Sequence, residues 1–434
     1  MLMRHSQATP RSARGIAALT VVMVLFFVLA MAAAYTNRTL IVDQRSTTNA
    51  LHAAQAIDAT EAGTEWAIAQ VNGGRVTSTC TSSTVSTDAT VRTRYIELRD
   101  DLSYINPDKT DKAVATPMAC VSNLGSWECS CPALGSKPSL TPTADGNGQA
   151  FWAIFNVGLG GPGILSILVQ GCSNLGTDAS ANCATAPDLS GSITSVDAVK
   201  VSNTQLGLLR ALPFAPAAAL TAGSTVTAVA GTTLWVVNPD PNTGLTIHSG
   251  GVVTAGTLKL AVAAGSPGDG KVESDGALAA RAAVGGRQFE SIFGMDASSY
   301  KRQPATVMID CAAGCTSADL ADALSRHPGQ VLWIAGDLNL NSAATLGSAT
   351  QPVMLVSTGT VTLSSTINYN GFLYANAVIW GAGSSASVWR GALVSASSFL
   401  ANGNATLLYD AAIIKIIAGS YGSFVRVPGG TAFN

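Results

Sequence analysis

The first strong pattern in the chain is an apolar stretch near its start. Residues 16–34 (IAALTVVMVLFFVLAMAAA) carry no charge. As a helix, nineteen residues at about 1.5 Å each just span a bilayer core. We therefore predict a transmembrane helix over residues 16–35.

The helical pattern continues beyond the apolar stretch. No proline occurs between Pro10 and Pro107. Apolar residues follow at helical spacing and are, in order, Leu51, Ala54, Ile57, Ile68 and Val71. The run Asn72-Gly73-Gly74 is a strong helix stop. The pattern predicts one helix about 85 Å long over residues 16–72, with an amphipathic continuation over 36–72.

Residues 73–210 are predicted to form an irregular, cysteine-bearing α/β region. Its strand candidates are residues 150–157 and 164–170. The turn between them, residues 158–163, matches GxGxxG, but a dinucleotide site requires a helix after the glycines. The apolar run ILSILVQ follows instead. We interpret the match as a glycine-rich turn.

Residues 211–434 are predicted to form a β-rich, solenoid-like domain. Four short apolar strings begin near Val331, Pro352, Gly371 and Gly391, at intervals of 21, 19 and 20 residues. A steady period near 20 is typical of stacked β-rungs, and residues 223–260 show the same character. A jelly-roll or β-sandwich remains an alternative. The expected fold class is α+β: a long N-terminal helix followed by a large β-rich body.

All eight cysteines lie beyond the apolar stretch: Cys80, Cys120, Cys129, Cys131, Cys172, Cys183, Cys311 and Cys315. An even number favours disulfides in an exported body, and the spacing does not provide the paired knuckles of a zinc site. Local closure of Cys172 with Cys183 and of Cys311 with Cys315 is expected. The first four cysteines leave three connectivities open.

Composition and charge exclude one class of partner. Charged residues make up 12% of the chain, the net charge is −2, and no cationic patch follows the N-terminal segment. Nucleic-acid binding is therefore not expected. The low charge agrees with long Ser/Thr/Gly/Ala stretches in uncharged β-structure.

The residues before the apolar stretch determine the expected compartment. Residues 1–15 contain Arg4, Arg11 and Arg14 and no acidic residue. Basic residues on this side retain the N-terminus in the cytoplasm and direct the body outward. The alternative is a secretory signal peptide cut near residues 32–34, but the apolar stretch exceeds the usual 7–15 residues.

A basic leader, a glycine and a retained apolar helix resemble the type IV filament family of pilins and type II secretion pseudopilins. The resemblance implies that prepilin peptidase cuts between Gly15 and Ile16, and that the new Ile16 amine is methylated. It also implies that the helix packs in a filament core, for which the candidate residues are Ile16, Leu19, Thr20, Val24 and Phe27.

One departure from the family pattern narrows the resemblance. Most pilins carry Glu at the fifth mature position, where this chain has Thr20. Absence of that Glu is typical of PilX-type minor pilins and of large tip pseudopilins. Similarity to PilX-type pilus assembly proteins extends over residues 52–70, 235–251, 289–315, 327–338, 389–410 and 422–430. The chain ends differently from those relatives, with Thr431-Ala432-Phe433-Asn434 after the last glycine.

No catalytic motif is recognised. His5 lies in the leader, His52 is assigned to an exposed helix face, and His248 and His327 are assigned to turns. The acidic residues Asp100, Asp101, Asp108 and Asp111 do not match the spacing of an EF-hand. An exposed acidic loop is therefore favoured over a calcium site. Neither an enzyme activity nor a cofactor is expected.

The resemblance implies a minor pilin that initiates or caps a type IV pilus. The expected partners are the major pilin, other minor pilins, prepilin peptidase and a tip adhesin. The chain would be anchored in the inner membrane with a periplasmic body, and then become part of the extracellular pilus. The alternatives are a tip pseudopilin of a type II secretion system and a secreted β-solenoid adhesin.

Overall fold

The structure is a computed structural model that describes residues 14–98, 104–105, 116–123, 125–140, 148–156, 163–176, 183, 197–266, 270–311 and 314–433. The side chains of residues 14–17, 97–98 and 104–105 are not among those described. The leader residues 1–13, the glycine-rich turn at 158–162, and the acidic residues Asp100, Asp101, Asp108 and Asp111 lie outside the described part.

The described helices are α1 (Arg14–Asn72), α2 (Val91–Tyr95), α3 (Gly276–Ala283), α4 (Arg287–Phe293), α5 (Ala297–Tyr300), α6 (Ser317–Arg326) and α7 (Ala411–Ser420). The first strands are β1 (Glu97–Leu98), β2 (Tyr104–Ile105), β3 (Met118–Asn123), β4 (Ser126–Ser130), β5 (Ala150–Asn156), β6 (Ile164–Cys172) and β7 (Val199–Arg210). The next are β8 (Ala218–Ala222), β9 (Val226–Asn238), β10 (Leu245–Ser249), β11 (Val253–Val262), β12 (Lys271–Val272), β13 (Thr306–Ile309) and β14 (Cys315–Thr316). They are followed by β15 (Val331–Ile334), β16 (Leu338–Leu340), β17 (Ala344–Leu346), β18 (Val353–Ser357), β19 (Thr360–Leu363) and β20 (Ile367–Ala375). The last are β21 (Ala377–Trp380), β22 (Val388–Ser395), β23 (Phe399–Ala401), β24 (Ala405–Leu408) and β25 (Gly422–Phe433).

The helix α1 runs without interruption for 59 residues, so its length agrees with the sequence pattern. It begins at Arg14 and ends at Asn72, directly before the two glycines. At about 1.5 Å per residue it is about 88 Å long. The long N-terminal helix and the β-rich body that follows it confirm the predicted α+β class.

The end of α1 packs on a six-stranded antiparallel sheet with the order β25-β7-β6-β5-β3-β4. Most of its strands come from the region predicted to be irregular. The strand after the GxGxxG turn is β6, which pairs with β5, so a strand follows these glycines as expected. The edge strand β25 comes from the C-terminus and pairs with β7. The solenoid is therefore inserted between two neighbouring strands of this sheet and ends before Gly422, whereas the sequence assigned it residues 211–434.

The inserted segment is a parallel β-solenoid. All of its strand pairings among the described residues are parallel. This excludes the jelly-roll and sandwich alternatives, which are built from antiparallel strands. The register partners Val331, Met354, Phe372 and Ala392 are 23, 18 and 20 residues apart. The predicted period of about 20 is therefore the length of one rung.

The solenoid has three flat faces. The first is the stack β13, β15, β18, β20, β22, β8, β10 and β12. The second contains β14, β16, β19, β21, β23 and the first halves of β9 and β11. The third contains β17, the first halves of β20 and β22, then β24 and the second halves of β9 and β11.

Two strands bend from the third face to the first at a glycine. Gly371 in β20 and Gly391 in β22 have φ of 155° and 121° and are register partners. A Cβ on Gly391 would meet the backbone of Gly371. The stacked corner therefore requires glycine at both positions.

The order of the rungs in space differs from their order in the chain. The first segment of the solenoid, β8 and β9, stacks on the last segment, β22 to β24. The strand β13 thus lies at one end of the stack and β10 to β12 lie at the other. Six rung spacings of about 4.8 Å separate β13 from β10, about 29 Å in total.

Inward side chains form continuous apolar columns. On the first face, one column consists of Leu332, Leu355, Leu373, Leu393, Leu220 and Ile247, all fully buried. On the third face, the rings of Tyr369 and Trp389 stack with centroids 3.7 Å apart at an interplanar angle of 12°. Each rung buries its inward residues against the next, so the stack forms one core.

All eight cysteines are paired: Cys80–Cys131, Cys120–Cys129, Cys172–Cys183 and Cys311–Cys315. The last two are the local pairs that the spacing favours. The first two decide among the three connectivities that the sequence left open. Cys120 and Cys129 lie opposite each other on β3 and β4, where register brings them together.

Candidate functional site: the protruding helix and its seat

The first half of α1 protrudes from the body. Of the candidate core residues, Leu19, Val24 and Phe27 are 63%, 64% and 67% exposed, and Thr20 is exposed as well. Gly15 and Ile16 lie within the helix, but their side chains are outside the described part. Within the described chain, α1 is the one helix long and apolar enough to cross a membrane, and its apolar window is unburied.

The body first meets the helix near His52. The His52 imidazole lies 3.2 Å from the side-chain oxygen Oε1 of Gln55 and 3.8 Å from an Asp197 carboxylate oxygen. Its side chain is 27% exposed. The expectation of an exposed His52 was wrong, because the β6–β7 side of the body reaches this turn of the helix.

Small residues form the face of α1 that packs on the sheet. Ala56, Ala59, Gly63 and Ala67 are buried, whereas Leu51 and Ile57 from the larger apolar stripe are exposed. A Cβ on Gly63 would lie 2.7 Å from ring carbons of Phe151. Small side chains let the helix backbone approach the strands closely. The apolar spacing alone therefore did not identify the packed face.

Two threonines connect the helix to β7 through hydrogen bonds. The Thr60 hydroxyl lies 2.7 Å from the Ala56 carbonyl and 3.0 Å from the Lys200 carbonyl. The Thr64 and Ser202 hydroxyl oxygens lie 3.0 Å apart, and both residues are buried. A glycine in β6, Gly171, gives the helix room, since a Cβ there would meet the Thr60 backbone nitrogen.

The end of α1 is fixed to both parts of the body. The Asn72 side-chain amide nitrogen donates to the Phe424 backbone carbonyl at 2.9 Å, and the Phe424 N–H donates to the Asn72 side-chain oxygen Oδ1 at 2.8 Å. The Gln330 side-chain amide, which belongs to the solenoid, donates to the Asn72 backbone carbonyl. Asn72 thus joins the helix to the last strand and to the solenoid.

Arg92 in α2 extends this junction. Its guanidinium donates to the backbone carbonyls of Val71, Ser420 and Gly422 at 3.3, 3.0 and 2.9 Å. It also lies 4.8 Å from the centroid of the Phe424 ring. The sequence analysis missed Arg92, and it interpreted Asn72 as a helix stop alone. Apart from Val71, the partners named here lie more than 250 residues away, so no local pattern marks them.

The two histidines of the β-rich body contact neighbouring side chains. His248 lies in β10, and not in a turn, with its Nε2 2.7 Å from an Asp275 carboxylate oxygen. This contact, together with two backbone N–H donors, lowers the pKa of Asp275, which caps α3. His327 ends α6, and its burial lowers the pKa of the imidazole. Among the described residues, no group of three or more His, Cys, Asp or Glu could hold a metal ion.

Comparison with protein-family models and with curated protein sequences gives no match. Among solved structures, the chain is similar to the crystal structure of the competence-associated pilin ComZ from Thermus thermophilus. The identity is 10%, the alignment covers 88% of this chain and 97% of that chain, and the TM-score is 0.22. A TM-score this low does not establish a shared fold, so the function must be argued from the chain's own geometry.

Proposed function

We propose that the chain is a minor pilin that takes part in assembling a type IV pilus, at the end of the filament. One observation carries the proposal. A single unbroken helix has its last third fixed in a folded body, whereas its first part protrudes, and residues 18–34 of that part form an uncovered apolar rod.

An apolar rod of this kind requires cover. Its uncharged side chains are exposed in the isolated chain, and their transfer from water into a bilayer or a helical bundle is favourable by about 25 cal/mol per Å² of apolar surface buried. A membrane provides this environment before assembly, and the apolar helices of other pilins provide it in the filament core. The leader processed at Gly15 by prepilin peptidase and the methylated Ile16 belong to this proposal.

The size of the body supports a position at the filament end. The solenoid adds a stack about 29 Å long, from β13 to β10, to the helix-and-sheet unit. A body of this bulk leaves little room for neighbours of the same kind along a shaft. The major pilin and other minor pilins would therefore be neighbours on one side, and a tip adhesin is the expected partner on the other. The proposal includes no catalytic role and no cofactor.

Incorporation into filaments tests the proposal. In the native host cell, we expect the chain in the sheared filament fraction and fewer filaments when its gene is deleted. Val24→Asp places a charge in the apolar rod and should remove the chain from the filament fraction. Asn37→Asp, at a polar position of the same helix, should leave it there. Normal filaments after deletion, or equal incorporation of the two variants, would refute the proposal.

A further inference from the structure

The far end of the solenoid has an open strand edge. Within the described residues β11 pairs with β9 on one side and has no strand on the other. The next winding begins with β12, which pairs with β10 on the first face. After β12 the chain leaves the solenoid, because Asp275 caps the helix α3 and the next residues are helical. Among the described residues, no strand lies over residues 257–262 of β11, whereas Glu273 accepts a hydrogen bond from the Val253 N–H at the start of the strand.

The straight part of this strand, residues 257–262 (TLKLAV), is here called the open edge. Its inward residues Leu258 and Leu260 are half-buried, whereas their register partners Leu234 and Val236 in β9 are fully buried. Solenoids need a polar capping unit to cover their last rung. Among the described residues, no strand covers the ends of these two apolar columns at the open edge, and the outer side of the open edge has no strand with which its backbone groups can pair.

We propose that the open edge is a docking site for an extended strand of a partner protein, with aliphatic residues at alternate positions and an acidic residue opposite Lys259. Strand addition to a sheet edge provides affinity through backbone hydrogen bonds and specificity through alternate side chains. Leu258 and Leu260 would receive the aliphatic side chains. Lys259 is the one charged residue of β11, is exposed on the outer face, and selects the acidic residue.

A second copy of this chain fits the open edge poorly. Head-to-tail stacking would use the other end of the solenoid, but at that end α6 and the residue before β13 contact the loop after α1 and the strand β25. There the Arg75 N–H donates to the Arg326 carbonyl at 3.0 Å and the Ala305 N–H to the Ser423 hydroxyl at 2.9 Å. This leaves pairing of two copies about a two-fold axis.

Two-fold pairing brings like charges together. It would be antiparallel, and each outward residue must face an outward residue of the other copy. In every register that keeps the open edge paired, Lys259 then lies opposite Lys259 of the other copy or diagonally next to it. Like charges across strands are destabilising. A strand with an acidic residue at this position avoids the repulsion.

The probe for this proposal comes from β9, whose residues 233–238 already pair with the open edge from the other side. We would use two labelled peptides with the sequence of residues 232–239, one with Trp235→Glu and one with Trp235→Lys. The full chain in detergent micelles is the target. Fluorescence anisotropy measures binding, and hydrogen–deuterium exchange of residues 257–262 measures docking.

We expect the Trp235→Glu peptide to slow exchange at residues 257–262 and to bind about three-fold or more tightly than the Trp235→Lys peptide. The variant Lys259→Glu should reverse this preference. The control variant Lys301→Glu, at an exposed position outside the solenoid strands, should leave it unchanged.

Absence of protection by either peptide, or equal binding of both, overturns the proposal. Protection that grows with protein concentration without peptide, together with a doubled mass, overturns it in favour of a second copy. The peptide experiment does not depend on processing at Gly15. A negative result would therefore refute strand docking at the open edge without refuting the pilin function. Loss of the pilin proposal would likewise leave the docking site untouched.

Discussion

Asn72 and Phe424 lie 352 residues apart in the chain and exchange two hydrogen bonds, one in each direction. Asn72 is the last residue of α1, and Phe424 is near the start of β25. The chain leaves the six-stranded sheet after β7, forms the solenoid, and returns to the sheet as β25. This pair therefore closes the unit that holds the protruding helix.

Replacing Asn72 tests how much its hydrogen bonds to Phe424 stabilise the protein. Asn72→Ala removes both hydrogen bonds between the Asn72 side chain and the buried Phe424 backbone, which costs about 1–3 kcal/mol of unfolding free energy. Asn123→Ala removes an exposed contact to Glu128 and should cost less than about 0.5 kcal/mol. Denaturant unfolding of the full chain in micelles measures both. Equal losses would show that the junction does not depend on Asn72.

Because α1 lies close to the sheet at Gly63, replacing this helical glycine by alanine is expected to destabilise the protein. Alanine favours a helix over glycine by about 1 kcal/mol, yet Gly63→Ala should destabilise the protein by about 1–3 kcal/mol. Its Cβ would overlap the Phe151 ring and Val169. Gly276→Ala, in α3 with open space around it, is the matched control. It should be neutral or stabilising, and a gain at Gly63 would contradict the packing described here.

The stack of Tyr369 on Trp389 predicts a contrast between two tryptophans of the third face. Trp389 is fully buried, whereas Trp235 is 46% exposed. Trp389→Ala removes a core side chain and should cost about 3–5 kcal/mol, and Trp235→Ala should cost less than about 1 kcal/mol. Thermal unfolding followed by circular dichroism measures the difference. Similar costs would mean that the inward and outward assignment of this face is wrong.

His327 should make the junction sensitive to mild acid. Burial holds its pKa below the ordinary value, so the folded state favours the neutral imidazole. Its stabilising contribution is therefore complete above the unfolded-state pKa of about 6.5 and is lost as the pH falls below that value. His327 also contacts Gln330, whose amide donates to Asn72.

Unfolding measured between about pH 7.5 and 5 tests this effect. The free energy of unfolding of the original chain should fall as the pH is lowered over that range, and the fall should be smaller for the His327→Gln variant. The same pH dependence in both proteins would show that protonation of His327 is not coupled to folding.

The sequence predicts the features that have a local period. The helix up to Asn72 follows from the absence of proline and from the glycine pair after it, and the rungs near Val331 and Gly371 follow from their spacing. The disulfides Cys172–Cys183 and Cys311–Cys315 follow from proximity in the chain, because no other cysteine lies near either pair. These predictions succeed because the residues that determine each element lie within one turn or one rung.

The sequence does not predict how distant segments meet. The placement of β8 on β22 and of β25 on β7 depends on contacts between residues about 170 and 210 positions apart, which leave no periodic trace. The packed face of α1 was missed because glycine and alanine carry little apolar signal. The junction residue Arg92 was missed because its partners are backbone carbonyls, which any residue provides.

The mature N-terminus of the chain tests the central claim most directly. Mass spectrometry of the protein purified from its native host cell should find a chain that begins at Ile16 with a methylated amine and retains the apolar helix. A chain that begins at or beyond Ala33 would contradict the claim, because the protruding helix would then be a discarded signal and the body a secreted protein.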